Sequence, residues 1–183
     1  MPLSSDEIKK VEIYCHAVYD YSRKVGSVQR KQDVKRSGRE INLQGLAAEF
    51  WFKNKYNLPY SLDITMDSVK PRSYKKDIDV KIDDLVLEIK QTTYDRGCLF
   101  MPNIDWHGKH RDLLADVYVL VVGRFPDYDK DLFIARDKFI KLNSNEKDEL
   151  NPRMHKRIGK VGYFCEQSDM HTTLEEALKW ETL

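Results

Sequence analysis

At 183 residues, with 41% hydrophobic and 33% charged residues, the chain has the balance of one soluble globular domain and not of a disordered or fibrous segment. A formal net charge of +1 supplies no global attraction for nucleic acid, so any such attraction has to be local. Cys15, Cys98 and Cys165 are odd in number and lack C-x-x-C spacing, which points to a reducing compartment and away from a disulfide framework or structural zinc.

The N-terminal "MPLSSDEIKK" has acidic residues and no apolar segment, unlike a signal peptide. Ser4 and Glu7 stand at capping-box spacing, and Ile8, Val11, Cys15 and Val18 follow at helical intervals, which predicts a helix from Ser4 to near Arg23. Residues 23–39 hold seven Lys/Arg against one Asp and read as a basic linker or arm. A second, apolar helix is expected over 41–56, ending before Asn57 and Pro59.

The period then changes. "YSLDITMDSV" (60–69) predicts a strand, and residues 76–82 and 85–90 a hairpin. Residues 94–110 are rich in breakers and read as a loop. "ADVYVLVVGRF" is a near-continuous apolar strand, expected at the centre of a sheet, and "VYVLVV" within it is far short of the ~20 residues of a membrane span. Residues 131–142 suit a strand or a strand–helix junction, and 143–159 a short helix plus loop. "KVGYFCE" suits a late strand and "TTLEEALKW" a capped helix. The order predicts one α/β domain with a mixed central sheet flanked by helices, intracellular, soluble and without a membrane partner.

The hairpin carries the chemistry. With Asp83-Asp84 as its turn, Ile82 faces Leu85, Val80 faces Leu87 and Ile78 faces Ile89, one consistent apolar face. On the other face Lys81 lies opposite Val86, Asp79 opposite Glu88, and Asp77 opposite Lys90. Direct cross-strand partners have Cβ atoms ~5 Å apart, so Asp79 and Glu88 would repel unless a cation lay between them. Magnesium takes such oxygen ligands, completed by water and substrate phosphate. A slip of two residues would set Asp77, not Asp79, against Glu88. A solvated face with Asp77–Lys90 and Lys81–Glu88 ion pairs would account for the same charges.

"DIDVKIDDLVLEIK" resembles the core motif of the PD-(D/E)XK nuclease superfamily, an aspartate opening one strand and E-x-K ending the next. Glu49, in "GLAAEFWF", stands where many members carry a further glutamate on the preceding helix. The resemblance covers residues 41–125, with 1–40 as an N-terminal helix and linker and 126–183 as an extension of the same domain. It implies a restriction-endonuclease-like core and a metal-dependent DNA endonuclease. Asp79 (or Asp77), Glu88 and Glu49 would bind Mg²⁺, for which Mn²⁺ can substitute, and Lys90 would orient the attacking water. It also implies a homodimer, since one such site cuts one strand. The alternative is a nucleic-acid-binding protein on the same fold with weak or lost activity.

Given that resemblance, Arg30, Lys31, Lys35 and Arg36 suit a DNA backbone, as do Lys109 and Arg111 in the loop after the hairpin. His107 and His110 lack the glutamate of H-E-x-x-H and make no zinc site.

Overall fold

Ser4 and Glu7 cap the first helix reciprocally: the Ser4 amide and hydroxyl donate to Glu7 Oε2 at 2.8 and 2.7 Å, and the Glu7 amide donates back to Ser4 Oγ at 3.3 Å. The computed structural model describes residues 3–24, 36–62, 79–104 and 112–179. These fall into two compact units, one of residues 1–77 and 124–128, the other of residues 78–123 and 129–183.

The first unit is built on helices α1 (Ser5–Lys24) and α2 (Gly38–Lys55). Helix α2 starts three residues earlier than the sequence suggests, because Ser37 Oγ accepts the Glu40 amide at 3.1 Å and satisfies a first-turn donor. It stops as expected: Asn57 takes φ 52, and the Leu58 amide closes on the Lys53 carbonyl at 2.8 Å. Tyr14 and Phe50 meet edge to face, with centroids 5.3 Å apart. Gln44 is buried and receives the turn 124–128, its Oε1 accepting the Phe125 amide and its carbonyl accepting the Tyr128 hydroxyl, both at 2.9 Å. Trp51 packs against the Tyr128 ring.

The second unit holds two sheets. One has the order β1 (Val80–Ile82), β2 (Leu85–Thr92), β4 (Val117–Arg124), β5 (Asp127–Ala135), with β1 antiparallel and β4 parallel to β2. The fold is therefore mixed α/β with a mixed sheet. Strand β4 lies inside the sheet and is buried from Val117 to Gly123, as its unbroken apolar run predicts. The other sheet is antiparallel, in the order β3 (Leu99–Pro102), β7 (Lys160–Cys165), β6 (Arg153–His155). Between the sheets Leu99, Met101, Tyr118, Leu120, Ile134 and Tyr163 form a core, closed by Phe139 of helix α3 (Arg136–Leu142). A last helix, α4 (Leu174–Leu178), is capped by Thr173, whose Oγ1 accepts the Glu176 amide.

Asp116, just before β4, ties three elements together. Its Oδ2 accepts the Val86 amide at 2.9 Å, its own amide donates to the Val86 carbonyl at 2.8 Å, and its carbonyl accepts the Arg136 amide at 2.8 Å. Arg136 Nη1 lies 3.4 Å from Asp116 Oδ1. The start of β4 is thereby fixed on β2 and on α3.

Two expectations are corrected. The loop expected over 94–110 contains β3, which four residues between Gly97 and Asn103 hide from any periodicity; three of the four are buried, so neither face alternates. The helix expected within 143–159 does not form. Asn143 instead ends α3, its Nδ2 donating to the Phe139 carbonyl at 2.8 Å and its Oδ1 accepting the Phe164 amide at 2.9 Å, and the chain proceeds to the edge strand β6. The expected strand over 60–69 falls from residue 63 onward outside the described residues, as does most of the basic segment.

Gly162 sits in the middle strand of the second sheet, where a Cβ would fall on the Met101 carbonyl oxygen and the Phe100 ring. Backbone cannot yield as a flexible side chain can, so Gly162→Ala is expected to destabilise the protein by about 1–3 kcal/mol, read as a lower midpoint in urea. His171 exchanges two backbone hydrogen bonds with Phe133, and its Nε2 accepts from Lys138 Nζ at 3.1 Å. Burial first, and then the Lys138 charge, lower its pKa from the ordinary 6.5. The unfolded chain therefore takes up this proton before the folded one, and stability falls as pH drops below about 6.5. Thermal melts from neutral to mildly acid pH should show a shallower decline for His171→Gln than for the wild type.

Candidate active site on the β1–β2 hairpin

The hairpin register is the one its apolar face predicts. Val80 pairs with Leu87, Lys81 with Val86 and Ile82 with Leu85, around Asp83-Asp84. Asp83 takes φ 51, a left-handed conformation that aspartate adopts more readily than most residues with a Cβ. Continued by one residue, this register sets Asp79 against Glu88. Asp77 lies outside the described residues.

The parallel register on the other side decides the surroundings of the E-x-K motif. Glu88 pairs with Tyr118 and Lys90 with Leu120, so both charged side chains rise from the face that carries the inter-sheet core. Leu87 and Ile89 point the opposite way, with Val117 and Val119. Only 14% of the Glu88 side chain and 30% of that of Lys90 is exposed, with Lys90 Nζ 2.6 Å from Glu88 Oε1. Both charged side chains are thus partly withdrawn from solvent. A carboxylate so far removed from water is costly unless paired, and Lys90 supplies the pairing charge. Lys90 Nζ also donates to the Ile89 carbonyl at 3.3 Å.

Asp79 joins the same strand by a different route. Its Oδ2 accepts the Ile89 amide at 2.7 Å, which fixes its carboxylate beside the backbone between Glu88 and Lys90. Three of the four motif residues thus converge on β2. Glu49 lies half-buried on α2, in the first unit, where its charge adds to burial in pushing the Cys15 thiol up to about 12. Of the residues expected to contact DNA, Arg36 is half-buried beside the Ser37 cap, while Arg30, Lys31, Lys35, Lys109 and Arg111 lie outside the described residues. Gln91, directly after the motif, donates to the Gly123 carbonyl at 2.7 Å and supports the end of β4.

No protein-family model, curated protein or solved structure matches this chain. Its chemistry has to be read from its own residues.

The donor set fits a hard divalent cation. Asp79 and Glu88 offer carboxylate oxygens, and magnesium is commonly held by one or two carboxylates, with water and substrate phosphate completing the shell. Among the described residues no group of three or more His, Cys, Asp or Glu is placed to hold a metal.

A second constellation escapes the sequence because its members are 57 residues apart: Cys98 Sγ lies 3.2 Å from His155 Nε2. The Ile158 amide donates to His155 Nδ1 at 3.2 Å, which places the proton of the neutral ring on Nε2 and makes the imidazole the donor. Such a histidine cannot draw the proton from the thiol. Burial, and then Glu166, push the Cys98 thiol up to about 11, and burial pushes Cys165 up to about 12. The described geometry therefore assigns no cysteine a nucleophilic role. At neutral pH the three thiols should react with Ellman's reagent at least about 100-fold more slowly in the folded protein than in denaturant. A rapid single-thiol phase in the folded protein would contradict this assignment.

Proposed function

We propose that the protein is a metal-dependent DNA endonuclease of the PD-(D/E)XK type, with a restriction-endonuclease-like core and acting as a homodimer. The observation that carries the reading is the Glu88–Lys90 pair, partly withdrawn from solvent on the same strand whose backbone holds the Asp79 carboxylate. Withdrawing both charges even partly from water carries a cost that a fully solvated surface pair would not bear.

In this reading Asp79 and Glu88 hold Mg²⁺. The bound cation supplies a nucleophile of lowered pKa and neutralises charge on the scissile phosphate. Lys90, held by Glu88 and the Ile89 carbonyl, is set to orient a water or a phosphate oxygen beside those carboxylates. The Ile89 amide fixes the Asp79 carboxylate and removes its rotational freedom. The reading rests on these second-unit residues, and Glu49 enters it only through the superfamily resemblance.

One feature favours the second reading, nucleic-acid binding without turnover. The Lys90 ammonium already occupies Glu88, so a cation has to share that carboxylate with it. Cleavage of supercoiled plasmid, linear duplex and single-stranded DNA with Mg²⁺ or Mn²⁺, and with EDTA as control, separates the two. The expected result is metal-dependent nicking that falls at least about 100-fold in Glu88→Gln, Lys90→Gln and Asp79→Asn, each verified as folded. DNA binding with no cleavage of any substrate would leave the second reading in its place.

A further inference from the structure

The β6–β7 hairpin carries a charge pattern that the candidate active site does not use. Residues 153–160, "RMHKRIGK", hold Arg153, Lys156, Arg157 and Lys160 and no carboxylate. Arg153 pairs with Gly162 and His155 with Lys160, so Arg153, His155, Lys160 and Phe164 share the face of the second sheet that points away from Tyr163 and Cys165 of the core. Lys156 and Arg157 occupy the exposed turn.

The arginines are held by neutral partners. Arg153 lies over the Phe164 ring, 4.7 Å from its centroid, and donates to the Leu142 carbonyl at 3.3 Å. Arg157 Nη1 donates to the Arg96 carbonyl at 3.2 Å, which ties the turn to the exposed segment that carries Arg96. Among the described residues no carboxylate stands within salt-bridge distance of Arg96, Arg153, Lys156 or Arg157. Asp95 and Glu166 border the group without pairing with these four. A guanidinium has five donors in a fixed fork, and one bond to a carbonyl orients it while leaving its charge uncancelled.

We infer that this face docks the phosphodiester backbone of duplex DNA. The aromatic rings beneath the cations are poor platforms for unpaired bases: Phe100 is buried, and Arg153 already lies over the Phe164 ring. What the face presents outward is positive charge, the complement of a duplex that carries one negative charge per ~1.7 Å of its axis. Arg96 follows Thr92, the last residue of the strand that bears Glu88 and Lys90, by four positions, so the face begins beyond the end of the catalytic strand. The identity of the polyanion rests on the nuclease reading, whereas the face itself does not.

Fluorescence anisotropy of a labelled duplex in EDTA, over a series of KCl concentrations, tests this without cleavage. The triple variant Arg153→Gln, Lys156→Gln, Arg157→Gln should bind at least about tenfold more weakly, with its salt dependence shallower by about 0.9 per lost phosphate contact. Lys156→Gln alone, at an exposed turn position, should lower the slope by about 0.9 with no effect on folding. The control Lys9→Gln, Lys130→Gln, Lys147→Gln removes equal charge from scattered exposed sites and should change little. Wild-type slope and affinity in the folded triple and single variants would overturn the inference and leave the cleavage reading to its own assay. Equal losses in variant and control, or no duplex binding by the wild type, would also overturn it. Binding lost in the hairpin variants of a protein that never cleaves DNA would support the face and sink the nuclease.

Discussion

The candidate site depends on the parallel register of β2 on β4, and one carboxylate sets it. Asp116 takes the Val86 amide, gives its own amide to the Val86 carbonyl, and engages Arg136 through both backbone and side chain. A strand register can slip only in whole residues, and a slip of one turns every side chain to the other face. With Val86 held, Glu88 and Lys90 are committed to the face of Tyr118 and Leu120. An error of one residue would put Leu87 and Ile89 there and carry the charges to the other face.

That commitment explains why Glu88 and Lys90 have to be considered together. Both charges stand on the face of the inter-sheet core, where only part of each side chain reaches water. As a pair at 2.6 Å they satisfy one another and keep a geometry that neither would hold in solvent. Asp79 is held more rigidly, because a backbone amide cannot rotate away from it.

Much of this was legible in the sequence where a local rule had a single solution. The Ser4–Glu7 box, the helix stop at Asn57 and the apolar pairs of the hairpin each follow from spacing alone, and the structure has them. The buried central strand followed from an apolar run with no alternation. What was hidden depends on partners distant in the chain. Strand β3 is too short for a period to show, and it exists because β7, over 60 residues later, offers it a ladder. The Cys98–His155 contact and the role of Asp116 are equally non-local, and no spacing announces them. The depth at which Glu88 sits was not legible either, since it follows from β4 and not from the hairpin.

The turn 124–128 has a consequence for how the chain can be divided. Because these five residues belong with α1 and α2, the polypeptide passes between the units at 77/78, again at 123/124 and a third time at 128/129. Neither unit is a continuous stretch, and no single cut separates them. A fragment beginning at residue 78 would keep Phe125 and Tyr128 while discarding Gln44 and Trp51, leaving a donor, a hydroxyl and an aromatic face without their partners. Closing those contacts across more than 80 residues also requires the helices to wait for the β4–β5 hairpin to be synthesised, a long-range step of the kind that slows folding.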